Sequence, residues 1–202
     1  MPPSPPADPV VVTPAVLRAR PLPDHGAATN KQERGQVLVV GGSTSTPGAV
    51  LLAGVGALRV GGGKLQVATV GSAATALGLA VPEAGVVALP GTGSGAIAPS
   101  AATTLRPLVA AADAVLFGTG AMDAEATGAL LVDLVDSLDG AVLVVDAGAL
   151  PAVGADPSIL AGAGGRAVVM PNPGEMAALT GDDDADVDAV FDDPRAAVTR
   201  RR

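Results

Sequence analysis

The sequence predicts an α/β protein built on a mostly parallel sheet. Two observations carry that prediction. Apolar, β-branched runs alternate with helix-length segments from about Gln36 to Thr180. The runs are apolar on both faces, as strands covered by helices on both sides must be. In such sheets ligands bind outside the carboxyl ends of the strands, so the segments that follow the strands are where function is sought.

The elements follow in order. Residues 1–34 are Pro-rich and read as an arm or linker, with a short helix at Ala15–Arg18 opened by Pro14. Gln36–Val40 (QVLVV) is the first strand, ending in Gly41-Gly42-Ser43. Pro47–Val60 has helical length, and Ala49, Ala53, Gly56 and Ala57 fall near one face, small enough to lie close to a sheet. Gly61-Gly62-Gly63 stops it. Strand Leu65–Val70, helix Ser72–Leu79 and strand Gly85–Leu89 come next. Pro99–Ala111 is a helix, and Ala114–Phe117 a strand ending at Gly118-Thr119-Gly120. Asp123–Leu138 is the clearest amphipathic helix, with Leu130, Leu131, Leu134, Val135 and Leu138 as its apolar stripe and Asp133 and Asp136 opposite. Strand Ala141–Val145 ends at Asp146, and a short helix covers Pro157–Ala161. Strand Ala167–Met170 ends at Pro171, and Gly174–Leu179 begins another helix.

Composition narrows the function classes. A chain of 202 residues is expected to form one domain, with a tail. Absence of Cys excludes disulfides and thiolate metal sites, and the single His25 leaves no His-rich cluster. With no Trp or Tyr and only Phe117 and Phe191, stacking on bases is nearly excluded, and the core must be Val, Leu and Ala. The net charge of −8 repels phosphate backbones, so no nucleic-acid partner is expected. Residues 175–202 hold 8 of the 20 acidic residues and read as an acidic, disordered tail from about 182. No apolar run is long enough to span a membrane, and the N-terminus lacks the pattern of a secretory signal, so a cytoplasmic location is expected.

Four segments occupy strand ends: Gly41–Thr46, Gly118–Asp123, Asp146–Leu150 and Pro171–Glu175. The first could cradle an anion with backbone N–H groups, or serve only as a strand–helix turn. It is neither a Walker A loop nor a dinucleotide fingerprint: Leu58 and Leu65 break the former pattern around Gly63-Lys64, and Arg59 breaks the latter after Gly54-Val55-Gly56. Asp146 offers a carboxylate that could orient a ligand hydroxyl or cap its own loop. In Pro171-Asn172-Pro173-Gly174-Glu175, two prolines display Asn172, Gly174 opens a helix, and Glu175 suits the positive end of the helix dipole. His25 lacks a supporting nucleophile motif, and Asp182–Asp188 lacks the Gly and Glu of a calcium loop.

Taken together, these segments resemble the ADP-dependent NAD(P)H-hydrate dehydratases. The likeness rests on Lys31-Gln32-Glu33-Arg34-Gly35, VLVVGGS, Pro47-Gly48-Ala49, ALRVGGGKLQVAT, Val81-Pro82-Glu83-Ala84, Gly118-Thr119-Gly120, DAGAL and PNPGEM, in family order from about Val11 to about Val198. The resemblance implies a ribokinase-like three-layer sandwich over residues 35–181. It implies repair of hydrated NADH or NADPH, in which a phosphoryl group from ADP or ATP, with Mg²⁺, turns the hydrate hydroxyl into a leaving group. By position, Ala49, Gly118, Gly120 and Asn172 would contact the hydrated nucleotide, with Asp146, Gly174 and Glu175 in support; no metal ligand is assigned. Most relatives have His where Asn172 stands, and an amide lacks a tunable pKa. Gly118-Thr119-Gly120 also departs mildly from the family's GPG-type loop.

The family's later Gly-Ser/Thr-Gly-Asp loop, with its anion hole and catalytic aspartate, has no counterpart in these 202 residues, so no catalytic residue is assigned. They are expected to correspond to the first two-thirds of the enzyme, leaving a strand edge exposed at Ala167–Met170 and around Val37–Val40. Two other readings are a hydroxymethylpyrimidine-type kinase of the same fold and a non-catalytic binding or assembly remnant that keeps a homo-oligomer surface. A polypeptide of these 202 residues alone is expected to show no ADP- or ATP-dependent dehydration of hydrated NADH, since losing a single oxyanion donor typically removes about 10²–10³ in rate. The return of NADH absorbance above the uncatalysed rate would contradict this.

Overall fold

Gln36–Val40 (β1) forms a central strand because Leu38, Val39 and Val40 are apolar toward both layers and are buried. The computed structural model describes residues 11–21, 30–31 and 33–180. Around β1 pair β2 (Lys64–Val70), β3 (Ala84–Leu89), β4 (Ala114–Phe117), β5 (Val142–Val145) and β6 (Ala167–Val169). The order is β3-β2-β1-β4-β5-β6, and every pairing is parallel. Val40 lies level with Ala68 on one side and Phe117 on the other, so β1 and β4 end together while β2 runs on to Val70.

The helices are α1 (Pro14–Ala19), α2 (Pro47–Arg59), α3 (Gly71–Ala80), α4 (Ala102–Ala110), α5 (Ala124–Val135), α6 (Leu150–Ala155) and α7 (Pro173–Thr180). Right-handed crossovers require α2 and α3 on one face of the sheet and α5 and α6 on the other. In accord with this, α2 touches α3, whereas α5 touches α4 and α6. The expected stripe of α5 is observed: Leu130, Leu131, Leu134 and Val135 are buried, and they pack with Val115, Phe117 and Leu143 of the sheet. Asp123 caps α5 by accepting a hydrogen bond from the Ala126 N–H. Six residues, LPAVGA, were too few to show a helical period, so α6 was not foreseen. The segment predicted as a helix from Pro99 begins as a 3₁₀ turn and becomes α-helical at Ala102.

Two expectations need correction. Gly56 does not face the sheet: a Cβ there would meet nothing within 4 Å. The buried positions of α2 are Val50 and Gly54, and a Cβ on Gly54 would lie 3.1 Å from Leu65 Cδ2. The small-residue spacing defined a stripe but not which way it turned, and Val50 decides that by its demand for burial. Likewise Val37–Val40 is no exposed edge, since β1 is paired on both sides. The expected exposure at the other strand is found: β6 is an edge, with Val168, Val169 and Met170 all exposed. His25 and the acidic 182–202 stretch lie outside the described residues.

Beyond α6, Asp156 caps the 3₁₀ segment Pro157–Ala163. Its carboxylate accepts hydrogen bonds from Ser158, which hold its pKa below the ordinary carboxylate value. That capping contribution is present above the unfolded carboxylate pKa and is lost as pH falls through the lowered folded one.

Helix α2 supplies a paired test. Gly54→Leu is expected to cost about 1–3 kcal/mol by overpacking against β2. Gly56→Ala, on the open face, is expected to gain up to about 1 kcal/mol of helix propensity. Urea denaturation of the two variants beside the native chain measures both, and equal effects would refute the assigned orientation.

Candidate functional site

Successive strands run outward from β1 in one direction to β3 and in the other, through β4, to β6. The order therefore reverses between β1 and β4, and the loops leaving those strands separate to opposite faces. Such a switch point leaves a crevice at the carboxyl ends. Here it is bounded by Gly41–Thr46 and Gly118–Asp123, two of the four segments singled out in the sequence.

The two loops meet backbone to backbone. The Gly42 N–H donates to the Thr119 carbonyl at 2.8 Å, and the Gly118 N–H donates to the Val40 carbonyl at 3.0 Å. A Cβ on Gly41 would stand 2.3 Å from the Thr119 oxygen. Gly120, with φ +68°, has no room either: a Cβ would lie 2.6 Å from Ala49 Cβ and 2.9 Å from the Thr46 carbonyl oxygen. A third loop joins from β5. The Asp146 carbonyl oxygen would be 2.3 Å from a Cβ on Gly118, and Ala149 Cβ would be 2.7 Å away.

Hydroxyls tie the first loop to the second. The Thr46 hydroxyl donates to the Gly120 carbonyl at 2.5 Å. Its single proton being used there, the Ser43 hydroxyl must donate to Thr46 Oγ1, 2.6 Å away. Ser43 Oγ in turn accepts from the Thr46 N–H at 3.1 Å and lies 3.1 Å from Ser45 Oγ. The chain is directional, and it fixes the loop ahead of α2. Thr44 secures the far side, its N–H donating to the Gly95 carbonyl at 2.9 Å.

Beside the β4 loop a cavity of about 390 Å³ is lined by Ser94, Ala96, Met122, Asp123 and Ala124. Ser94 donates to Asp123 Oδ2 at 3.2 Å, so this carboxylate both caps α5 and holds the 92–96 turn. A second space of about 370 Å³ lies between α6 and α7, lined mainly by Leu150, Pro151, Gly154, Ala155 and Leu179. It is a mostly apolar groove, reached by Leu150 of the β5 loop and Glu175 of the β6 loop but by neither the β1 nor the β4 loop.

The structure thus brings together Ala49, Gly118 and Gly120, with the Asp146 main chain against them. Asn172, Gly174 and Glu175 sit instead at the end of β6, the far edge of the sheet. There Asn172 Oδ1 accepts from the Glu175 N–H at 2.9 Å, and Glu175 Oε2 accepts from the Asn172 N–H at 2.8 Å. That is a reciprocal cap on α7, so one oxygen of each side chain is committed to the helix end. Sequence reasoning singled out the segments that hold Ser43, Thr46 and Asp123 but not the side-chain bonds they make, and it missed Ser94 altogether. The sequence places Asp123 at the start of a helix, but its bond to Ser94 spans 29 residues and leaves no local signal. Among the described residues no group of three His, Cys, Asp or Glu could hold a metal ion. No helix among them is long and apolar enough to cross a membrane.

Comparison with known proteins bears on this geometry. A family model described as NAD(P)H-hydrate dehydratase matches residues 37–200. The ADP-dependent (S)-NAD(P)H-hydrate dehydratase of Xanthomonas campestris pv. campestris is 44% identical over 190 residues, covering 94% of this chain and 63% of that one. The bifunctional NAD(P)H-hydrate repair enzyme Nnr of Moorella thermoacetica is 37% identical, covering 79% of this chain and 30% of its own length. A crystal structure of the Bacillus subtilis ADP/ATP-dependent NAD(P)H-hydrate dehydratase, co-crystallised with ATP/Mg²⁺, superposes with a TM-score of 0.61 at 26% identity, over 87% of this chain and 56% of that one. A ribokinase-like superfamily protein from Enterococcus faecalis gives a TM-score of 0.68 at 19% identity, over 89% and 58%, a likeness of fold alone. The chain spans less than two thirds of each of these relatives. The fold is ribokinase-like, and the chain belongs to the NAD(P)H-hydrate dehydratase family.

Proposed function

We propose that the crevice between β1 and β4 binds the hydrated nicotinamide nucleotide, and that the protein to which this sequence belongs dehydrates it to NADH or NADPH at the expense of ADP or ATP. One observation carries the reading: Ala49 and Gly120 face each other across a joint that admits no further carbon. A residue without a side chain opposite one with a single methyl exposes peptide groups to a ligand, which larger residues would cover. Membership of a family whose relatives are named for this reaction supports the chemistry.

In this reading the residues of this chain bind and orient. Backbone groups of Gly118–Gly120 and the methyl of Ala49 form the floor under the ring that carries the hydrate hydroxyl. Ser43 and Thr46 hold that floor rigid, so the hydroxyl is presented in one direction, and fixed placement of this kind lowers the entropy barrier to phosphoryl transfer. Phosphorylation of the hydroxyl, then loss of phosphate with a ring proton, would restore the dihydronicotinamide. Asp146 lies at the neighbouring loop, where its carboxylate can order a ligand hydroxyl. Among the described residues no three acidic or imidazole groups converge on one point, and no step is assigned to a magnesium ion. Asn172, its side-chain oxygen already accepting from the first turn of α7, would contribute chiefly through its amide N–H groups.

The test is binding of hydrated NADPH to the native chain and to Gly120→Val, followed by titration calorimetry. The variant places carbon at a left-handed position with no space, so affinity is expected to fall at least tenfold, about 1.4 kcal/mol. Thermal melts report whether it remains folded, and Ala49→Leu, which enters the crevice from the other side without backbone strain, should weaken binding likewise. Undiminished affinity in both folded variants would rule out this crevice.

A further inference from the structure

Three polar residues are buried among the described ones: Ser43, Thr69 and Thr127. Ser43 belongs to the hydroxyl chain above, and the Thr127 hydroxyl donates to the Asp123 carbonyl. Thr69 Oγ1, on a side chain with no exposure at all, has no hydrogen-bond partner. A buried hydroxyl left unpaired is costly, and valine has the same shape without that cost. The sheet around it is otherwise aliphatic, so packing does not explain the oxygen.

Its position does. Thr69 follows Ala68, whose carbonyl accepts the Gly41 N–H at 3.2 Å, so it stands alongside the turn that leaves β1. A Cβ on Gly42 would lie 2.8 Å from Thr69 Oγ1 and 3.3 Å from Val50 Cγ2. On the other side, the Gly42 Cα is 3.4 Å from where a Cβ of Gly120 would be. Gly42, at φ +74°, is therefore the wall between the unpaired hydroxyl and the Ala49–Gly120 floor. Its N–H is held by the Thr119 carbonyl, but without a side chain its own carbonyl can turn toward either.

We infer that Thr69 is a positioning residue of the dinucleotide crevice: a ligand seated against the Gly41–Thr46 turn tilts a peptide group of that turn onto the Thr69 hydroxyl. The inference rests on the site proposed above. The bond forms in the occupied state and not in the free one, which is the differential interaction that a ligand-coupled shift requires. The hydroxyl then lowers the stability of the free chain and raises affinity.

These opposite signs make the test. Thr69→Val is expected to melt higher than the native chain without ligand, yet to bind hydrated NADPH about tenfold more weakly by calorimetry. Thr69→Ser keeps the hydroxyl and should retain native affinity even where the lost methyl lowers the melting temperature. A purely structural threonine would move stability and affinity in the same direction. A lower melting temperature for Thr69→Val, or affinity equal to native, overturns the inference while leaving the crevice assignment standing. If the native chain itself fails to bind hydrated NADPH, the crevice assignment falls, and this inference with it.

Discussion

The closest approach of backbone to backbone at the carboxyl ends of β1, β4 and β5 is the constraint on which the rest of the site depends. At Gly41, Gly118 and Gly148 a single added carbon would lie 2.3, 2.3 and 2.5 Å from a carbonyl oxygen of the neighbouring loop. Such distances leave no relaxed arrangement, so three loops from different parts of the chain are locked in register by having nothing there. The level ends of β1 and β4 make this contact geometrically available. The hydroxyl chain from Ser43 through Thr46 to Gly120 then ties the Thr46 end of the first loop, just ahead of α2, to the β4 loop.

Beneath the loops the core is built from small aliphatic residues. Among the described residues Phe117 is the one aromatic in it, and it closes β4 against α5 and the β1 end. A core of this kind gains stability from many close contacts rather than from a few large side chains. It also explains why glycine and alanine at helix faces matter. Gly54 lets α2 approach Leu65, and a Cβ on Gly128 in α5 would already touch Ala152 of α6 at 2.8 Å. The spacing of the helices, and thereby of the loops they support, is set by what these positions lack.

The residues expected from the sequence to form the site have unequal standing in this geometry. Ala49, Gly118 and Gly120 converge on one crevice. Asn172 and Glu175 cap each other at the sheet edge, two strands away from β4. An asparagine is a better helix cap than most residues, so the amide at this position has a local structural duty that is met within its own loop.

Much of this was legible in the amino-acid sequence by itself. Strands apolar on both faces announce a parallel sheet because only a doubly covered strand tolerates them, and the alternation of QVLVV, AVLF and the segments between them gave the layering. The stripe Leu130, Leu131, Leu134 and Val135 oriented α5, since four large side chains leave one way to be buried. Glycines after strands marked the loops. The tertiary structure alone decided the strand order, and with it which two of four strand-end loops share the switch point, because a crossover's destination depends on contacts between residues tens of positions apart. It also decided that Gly54 rather than Gly56 meets the sheet, that Ser94 reaches Asp123, and that Thr69 keeps an unpaired hydroxyl behind Gly42. Small residues carry little periodic signal, and a hydrogen bond or its absence is settled only when distant segments are brought to within about 3 Å.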